Sequence, residues 1–328
     1  MPFILRRLVF YLVAAWVALT INFFIPRAMP GNAVQSVMAK FPNLQPSAYK
    51  ALQALLGVGN PGSLWHQYVS YLDDIFHFNF GTDVSQYPAS VSSLLAQTLP
   101  WTITLVGVAT VIAFLIGTAL GIVAGWRHGG TLDRVLPGLM FLQAIPYFFF
   151  ALILVELLAI KFHAFPTGQG YDNGLIPGWH GDFIGSALYH SALPALTIIL
   201  TSIAGWMLQM RNVMITTSGE DYVIAAQAKG LPSRRVIYTY AARNALLPQL
   251  QGFGLAVGFV VSGAIVMEIV FGYPGIGLLL LNAVTSNDYP LMQAIFLVIT
   301  FAVLLANLIV DMIIVIADPR ARRMEATS

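Results

Sequence analysis

The chain has 328 residues, of which 58% are hydrophobic and only 9% charged, with a formal net charge of +2. Soluble domains carry about a quarter charged residues, so an ordinary globular enzyme is excluded. The small net charge gives no argument for nucleic acid, and the lack of cysteine removes disulfides, thiolate catalysis and cysteine-held metals.

Six apolar runs stand out, each near the roughly 20 residues that cross a bilayer as a helix. The first, Leu8–Ile25, follows Arg6 and Arg7. Its apolar part is too long for a signal-peptide core and no small-x-small cleavage site follows, so residues 1–28 read as a retained span. Residues 29–97 form an insert punctuated by Pro30, Pro42, Pro46, Pro61 and Pro88. Within it Ser63–Phe78 places Trp65, Val69, Leu72, Ile75 and Phe76 near one helical face, which predicts a small helical insert over a plain loop. The second run, Leu99–Trp126, carries Gly117, Gly121 and Gly125 every four residues, a spacing that lets two helix backbones approach closely in lipid. Dense packing within the chain is expected there, with some contribution at a subunit interface.

The third run, Leu136–Ile160, is interrupted by Pro146 and contains Glu156. A loop rich in Gly and Pro, from Lys161 to His190, leads to the fourth run, Ala192–Met214. The fifth, Leu250–Phe271, repeats the small-residue spacing at Gly254, Gly258 and Ser262. FGYPGIG (Phe271–Gly277) follows, and with the other outer loops it is expected to form a docking rim. The sixth run is Leu291–Ala317, and residues 318–328 form a tail.

Lysine and arginine set the orientation. With the N-terminus inside, the inner segments hold twelve of them and the outer segments only Arg27, Lys40, Lys50 and Lys161. Both termini are then cytoplasmic, residues 98–317 form the spanning domain, and the insert is extracytoplasmic.

No GxxxxGK[ST], HExxH or GxSxG occurs, so neither ATP binding through a P-loop nor metalloprotease or serine-hydrolase chemistry is indicated. The six histidines are scattered without metal-ligand spacing, and no cofactor is expected. Three acids fall in or near spans, where ionisable groups usually face protein or water. Glu156 is either a contact on a transport pathway or an interhelical hydrogen-bonding group. Glu268, near the outer end of its span, can reach the interface; Asp311 shares a helical face with Asn307. Structural pairing is expected for these two. A proton-coupled carrier would need such acids in a relay, and the three are spread over both leaflets. No internal repeat is visible, which weighs against carriers built from inverted repeats.

Between the fourth and fifth runs lies a polar island, residues 215–248, holding GEDYVIAAQAKGLPSRRVIYTYAARNALLP. Glu220 and Asp221 suit a first helical turn. Gly230 fits the left-handed position past a helix end, Ser233 can cap a second helix, and that helix runs to Pro248. Ala225, Ala226 and Ala228 leave a slim surface that enters a partner's groove; the alternative is a helix resting on lipid headgroups through Arg234, Arg235 and Arg243. Periodicity does not separate the two.

IAAQAKG (Ile224–Gly230) followed by RNALLP (Arg243–Pro248) resembles the EAA loop of bacterial ABC-importer permeases, in the form of the oligopeptide/dipeptide permease family, B-type subunit. The opening RRLVFYLV…PRAMPGNAV, the entry FNFGTDVSQYPASVSSLLAQTLPWTITL, Thr131–Arg134, FGYPGIG, NDYPLMQA and NLIVDMIIVIADPRAR extend the resemblance over essentially the whole chain. Ile224 occupies the glutamate position of the motif, FNFGTD departs from a GDxGxS-like run, and Glu156 is not a family residue.

The resemblance implies an all-α membrane protein with six transmembrane helices and a peripheral first span, the type I ABC-importer permease fold. It implies a bacterial inner-membrane assembly of this chain, a homologous second permease, two cytoplasmic ATP-binding subunits and an extracytoplasmic solute-binding protein. The chain itself would be non-catalytic. The island would be the coupling helix, with Ala225, Ala226, Ala228, Lys229, Gly230, Arg234 and Arg235 at the ATPase contact. Di- or oligopeptides are the implied cargo, with oligosaccharides, nickel or opines as alternatives; the rival outside the class is a stand-alone secondary carrier.

Overall fold

Apolar segments in lipid must satisfy their backbone groups internally, and among the described residues the apolar runs do so as helix. The structure, a computed structural model, describes residues 3–28, 62–83, 88–258, 260 and 265–317. Its helices are α1 (Phe3–Ala28), α2 (Leu64–Phe76), α3 (Val91–Trp126), α4 (Thr131–Ala144), α5 (Tyr147–Leu154), α6 (Gly181–Ser218), α7 (Asp221–Ala228), α8 (Ser233–Arg235), α9 (Arg243–Gly258), α10 (Ile265–Val270), α11 (Ile276–Thr285) and α12 (Tyr289–Ala317). α5 continues as a π-wound segment, Val155–Lys161, and a second π segment, Val236–Ala242, joins α8 to α9. Among the described residues there is no strand, only an isolated bridge between Thr82 and Ser90.

Among the described residues, four helices are long and apolar enough to cross a bilayer: Leu5–Ile25 within α1, all of α3 and α6, and Tyr289–Ile309 within α12. The third expected run, interrupted at Pro146, is two helices, α4 and the α5–π segment, which meet at 96°. Ile145 is held extended ahead of Pro146, as the proline ring requires of its predecessor, and Pro146 lacks the N–H that would continue the ladder. The fifth expected run is α9 and α10; residues 259 and 261–264, Ser262 among them, lie outside the described residues. α9 begins at Arg243, and Pro248 sits inside it, so the helix does not end there. Residues 29–61 and 84–87 of the insert, and the tail, also lie outside the description. The predicted helix at Ser63–Phe78 is present as α2, with Ser63 accepting the His66 N–H at its start.

The centre of the fold is the contact between α3 and α6. A Cβ placed on Gly117 would stand 2.5 Å from Trp206 Cβ and 2.8 Å from the Ile203 carbonyl oxygen. At Gly121 the neighbours are Met210 Cβ at 2.6 Å and the Met207 oxygen at 2.7 Å, and at Gly125 Met214 Cβ at 2.5 Å. The glycine stripe is therefore used within the chain. Gln249 of α9, fully buried, joins this pair by donating to Thr118 Oγ1 (3.2 Å) and to the Trp206 carbonyl (3.0 Å).

α1 lies at the edge, with Phe10, Leu12 and Trp16 on the outside. Polar bonds fasten it to α12: Arg7 and Tyr11 both donate to Asp311 (2.5 and 2.7 Å), and Asn22 and Gln293 bond through each other's carbonyls. α2 hangs from the same helix, with its Tyr68 against Thr20 and its Tyr71 hydroxyl accepting from Asn22.

FGYPGIG corrects two expectations. Phe271, Tyr273 and Ile276 are buried, so this turn is an interior wedge and not a rim. Glu268 does not reach an interface; it is 1% exposed and accepts from Thr102 Oγ1 (2.6 Å) and from the Gly277 N–H (2.5 Å). Thr102 in turn accepts from the Ile276 N–H (2.9 Å), so the buried carboxylate and hydroxyl tie the start of α11 to α3. α11, an apolar helix too short to span, packs on α3 and α12 through Leu279, Leu280, Leu95 and Ile295.

Gly121→Leu should therefore lower stability by about 1–3 kcal/mol, the usual range for overpacking. Gly107→Leu, on the same helix but with open space at its Cβ position, should be near neutral. Thermal unfolding of the two purified variants in detergent checks the contrast, and equal melting temperatures would contradict it.

Candidate functional site

α6 ends at Ser218, and Gly219 turns the chain directly into α7. Glu220 stands at the N-cap in extended backbone without a capping side-chain bond, and Asp221 brings negative charge to the first turn. Val223 and Ala226 turn inward, 0% and 3% exposed, and pack with Met210, Met214, Val236, Ala241 and Ala242. Ala226 therefore belongs to the seat of the helix rather than to its outer surface. Ala225, Ala228, Lys229 and Gly230 are exposed, as are Tyr222 and Ile224. The outer face is slim where the alanines lie and is held from beneath by two buried residues.

The end of α7 is closed by a specific set of backbone bonds. Gly230 N–H donates to the Gln227 carbonyl (2.9 Å) and Leu231 N–H to the Ala226 carbonyl (3.4 Å), the Schellman pattern. Gly230 has φ +73°, the left-handed conformation that its sequence position predicts. Nothing lies within 4 Å of a Cβ placed on it, so conformation and not crowding selects glycine there.

Ser233 does not cap the next helix. Pro232 occupies the N-cap position and Ser233 is the first helical residue, with no side-chain capping bond. The chain then passes through the π segment Val236–Ala242, whose Val236, Ala241 and Ala242 close the underside of α7. Arg234, Arg235 and Lys229 are exposed and form no ion pair with any described residue.

A second charged feature lies near the same end of α6. Arg211 forms a two-pronged pair with Asp133 of α4, through Nε to Oδ1 and through Nη2 to Oδ2 (3.1 Å). Asp133 also accepts from the Gly129 N–H (2.9 Å), and Arg211 Nη1 donates to Asn212 Oδ1 (3.0 Å). Sequence reasoning missed this pair: its members are 78 residues apart, and the only signal was a lone arginine at the end of an apolar run. Glu156 is apart from both features. It is exposed in the first turn of the π segment after α5 and has no partner among the described residues.

Comparison with known proteins gives concordant matches. The family described as binding-protein-dependent transport system inner membrane component matches residues 117–323, which include α7. The chain is 32% identical to the oligopeptide transport system permease protein OppB of Haemophilus influenzae over 98% of this chain and 99% of that protein. It is 30% identical to the dipeptide transport system permease protein DppB of Escherichia coli K12, with the same coverage. It is also 30% identical to the oligopeptide transport system permease protein AppB of Bacillus subtilis, over 92% of each chain.

Gly230→Ala should cost about 1–2 kcal/mol of local stability through backbone strain alone, with Gly230→Val at least as costly and Gly230→Asn less. Amide hydrogen exchange across residues 221–231 reads this directly. Exchange as slow in Gly230→Val as in the unmodified chain would remove the conformational account.

Proposed function

Because the chain belongs to the family of binding-protein-dependent transport system inner membrane components, we propose that it is a permease subunit of an ATP-driven importer carrying di- or oligopeptides. The full-length similarity to permeases named for oligopeptides and dipeptides supports peptides ahead of oligosaccharides, nickel or opines. In this reading the chain forms half of the pathway beside a homologous second permease. A solute-binding protein delivers cargo from outside, and two separate subunits hydrolyse ATP inside; the lack of a P-loop in this chain is consistent with that division. Both termini and α7 lie on the cytoplasmic side, as the distribution of lysine and arginine supports.

The observation that carries the reading is the build of α7. Its outer face is small and exposed at Ala225 and Ala228, while Val223 and Ala226 anchor it in the cluster that includes Met210 and Met214 of α6. Such a face docks in a groove of an ATP-binding subunit, with Lys229, Gly230, Arg234 and Arg235 at its margin. The permease performs no chemistry on ATP. It supplies two packings of differing affinity for its partners, and ATP binding and hydrolysis shift the balance between them.

Ala225→Trp tests this in the reconstituted assembly with both permeases, the ATP-binding subunits and the binding protein. Uptake and cargo-stimulated ATP hydrolysis should fall at least tenfold, a loss of about 1.4 kcal/mol or more in coupling, while the variant inserts and melts as before. Full retention of both activities would sink the coupling role. Glu156 is read as meeting the second permease or the pathway, since a carboxylate facing lipid is costly. Glu156→Cys, carrying a photoactivatable crosslinker, should capture the second permease; capture of lipid alone would exclude that placement.

A further inference from the structure

Between α4 and α6 lies an open cleft of about 560 Å³ whose lining differs from the rest of the helical surface. Elsewhere α1, α3 and α5 expose leucine, isoleucine, valine and phenylalanine. Here Gln143, Thr201, Ser202, Gln209 and Asn212, with Gly205 among them, share the wall with Met140, Trp206 and Leu208. Thr201, Gly205, Gln209 and Asn212 recur at helical spacing, so α6 turns one polar stripe toward the cleft. At 1.5 Å per residue the stripe begins about 30 Å from the start of α6 at Gly181 and ends about 9 Å before Ser218. It therefore lies along the stretch of α6 that crosses the bilayer and runs toward α7.

Two details show that its amides are not buried polar packing. Gln143 lies over Gly205, where a Cβ would come within 2.9 Å of its Nε2, and Gln209 lies over Gly252 at 3.0 Å. The glycines give these amides room, yet neither amide has a hydrogen-bond partner among the described residues. In hydrocarbon an unpaired amide costs several kcal/mol, so groups at this depth need water or polar cargo beside them. The cleft lining also contains no ionisable side chain. The charged pair at its border, Arg211 with Asp133, is mutually neutralised and reaches the lining only through Asn212.

We infer that this cleft is a hydrated, charge-neutral wall of the transport route, which receives cargo through amide and hydroxyl hydrogen bonds and does not select by charge. The inference rests on the permease reading above and adds the face of the chain that meets cargo. Its chemistry suits peptide backbone, whose N–H and C=O groups pair with glutamine and asparagine amides whatever side chains follow. α6 runs from this stripe straight into α7, so the wall moves with the surface where ATP-driven work enters.

The test uses the chain's lack of cysteine. Ser202→Cys and Gln209→Cys, with Leu152→Cys on the apolar face of α5 as the control, are placed in the complete assembly in lipid nanodiscs. Each is treated with a membrane-impermeant cationic thiol reagent and with its anionic counterpart, and labelling of this chain is followed by mass. Both cleft cysteines should react at least tenfold faster than Leu152→Cys. After correction for each reagent's rate with a free thiol, the two charges should differ by less than about threefold; a cleft of one sign would skew them by about tenfold or more. Cleft cysteines as inert as the control would show the stripe covered by lipid or protein. A skew of tenfold would show a charged route. Either result overturns the proposal. If Ala225→Trp still uncouples transport in the same assembly, the importer reading stands and only the assignment of the cleft fails.

Discussion

The close backbone contact of α3 with α6 is the constraint on which the rest of the fold depends. Lipid offers no hydrophobic drive to bring helices together, so their association relies on van der Waals fit and on polar bonds between them. Gly117, Gly121 and Gly125 allow that fit by letting Trp206, Met210 and Met214 rest against bare backbone. What surrounds the pair is placed relative to it. α9 is pinned by Gln249, α4 by Asp133 against Arg211, and α11 by Thr102 and Glu268.

Polar groups do much of this placing because the chain has few of them. With only 9% charged residues, Asp133, Asp311 and Glu268 each hold a partner that fixes a neighbouring helix. Asp311 holds α1 through Arg7 and Tyr11, although α1 otherwise presents an apolar surface suited to lipid. Glu268 gathers two donors at a helix start, where its negative charge also complements the N-terminal dipole. Glu156 and the cleft amides of Gln143 and Gln209 lack such partners among the described residues.

Much of this was legible in the sequence, and what was not shares a physical reason. The helical runs, the short helix at Leu64–Phe76, the left-handed Gly230 and the packing role of the glycine stripe are local properties of propensity, spacing and backbone stereochemistry. The 96° bend at Pro146 was marked by its proline, but proline also sits inside α3, α6 and α9 without breaking them, so the residue alone did not decide. The burial of Phe271 and Tyr273, the inward turn of Ala226 and the pairing of Arg211 with Asp133 depend on which distant segment lies opposite. A glycine- and proline-rich loop such as FGYPGIG reads as surface by composition. It is interior here because Glu268 and Thr102 supply the hydrogen bonds that water would otherwise provide.

α6 joins the candidate coupling surface to the candidate route, and its attachments fall into two groups divided at Pro194. Before the proline, the helix is tied to the loops, where Ser186 donates to Asp172 (2.6 Å), Tyr189 to the Ala164 carbonyl (3.0 Å) and Ser191 meets the Tyr273 hydroxyl, and to α3, where Phe183 meets Trp101 edge-on and Leu193 shares a buried cluster with Leu105. After it, the attachments are the glycine contacts with α3, the Gln249 bond at Trp206, the Arg211–Asp133 pair and α7 itself. Pro194 removes the backbone bond to His190 between the two groups. If work enters at α7, it meets a lower segment that is close-packed against α3 and carries the polar stripe of the cleft. A close-packed segment does not deform continuously; it moves as a unit between discrete packings. The arrangement therefore joins the cleft to α7 through one close-packed segment of α6.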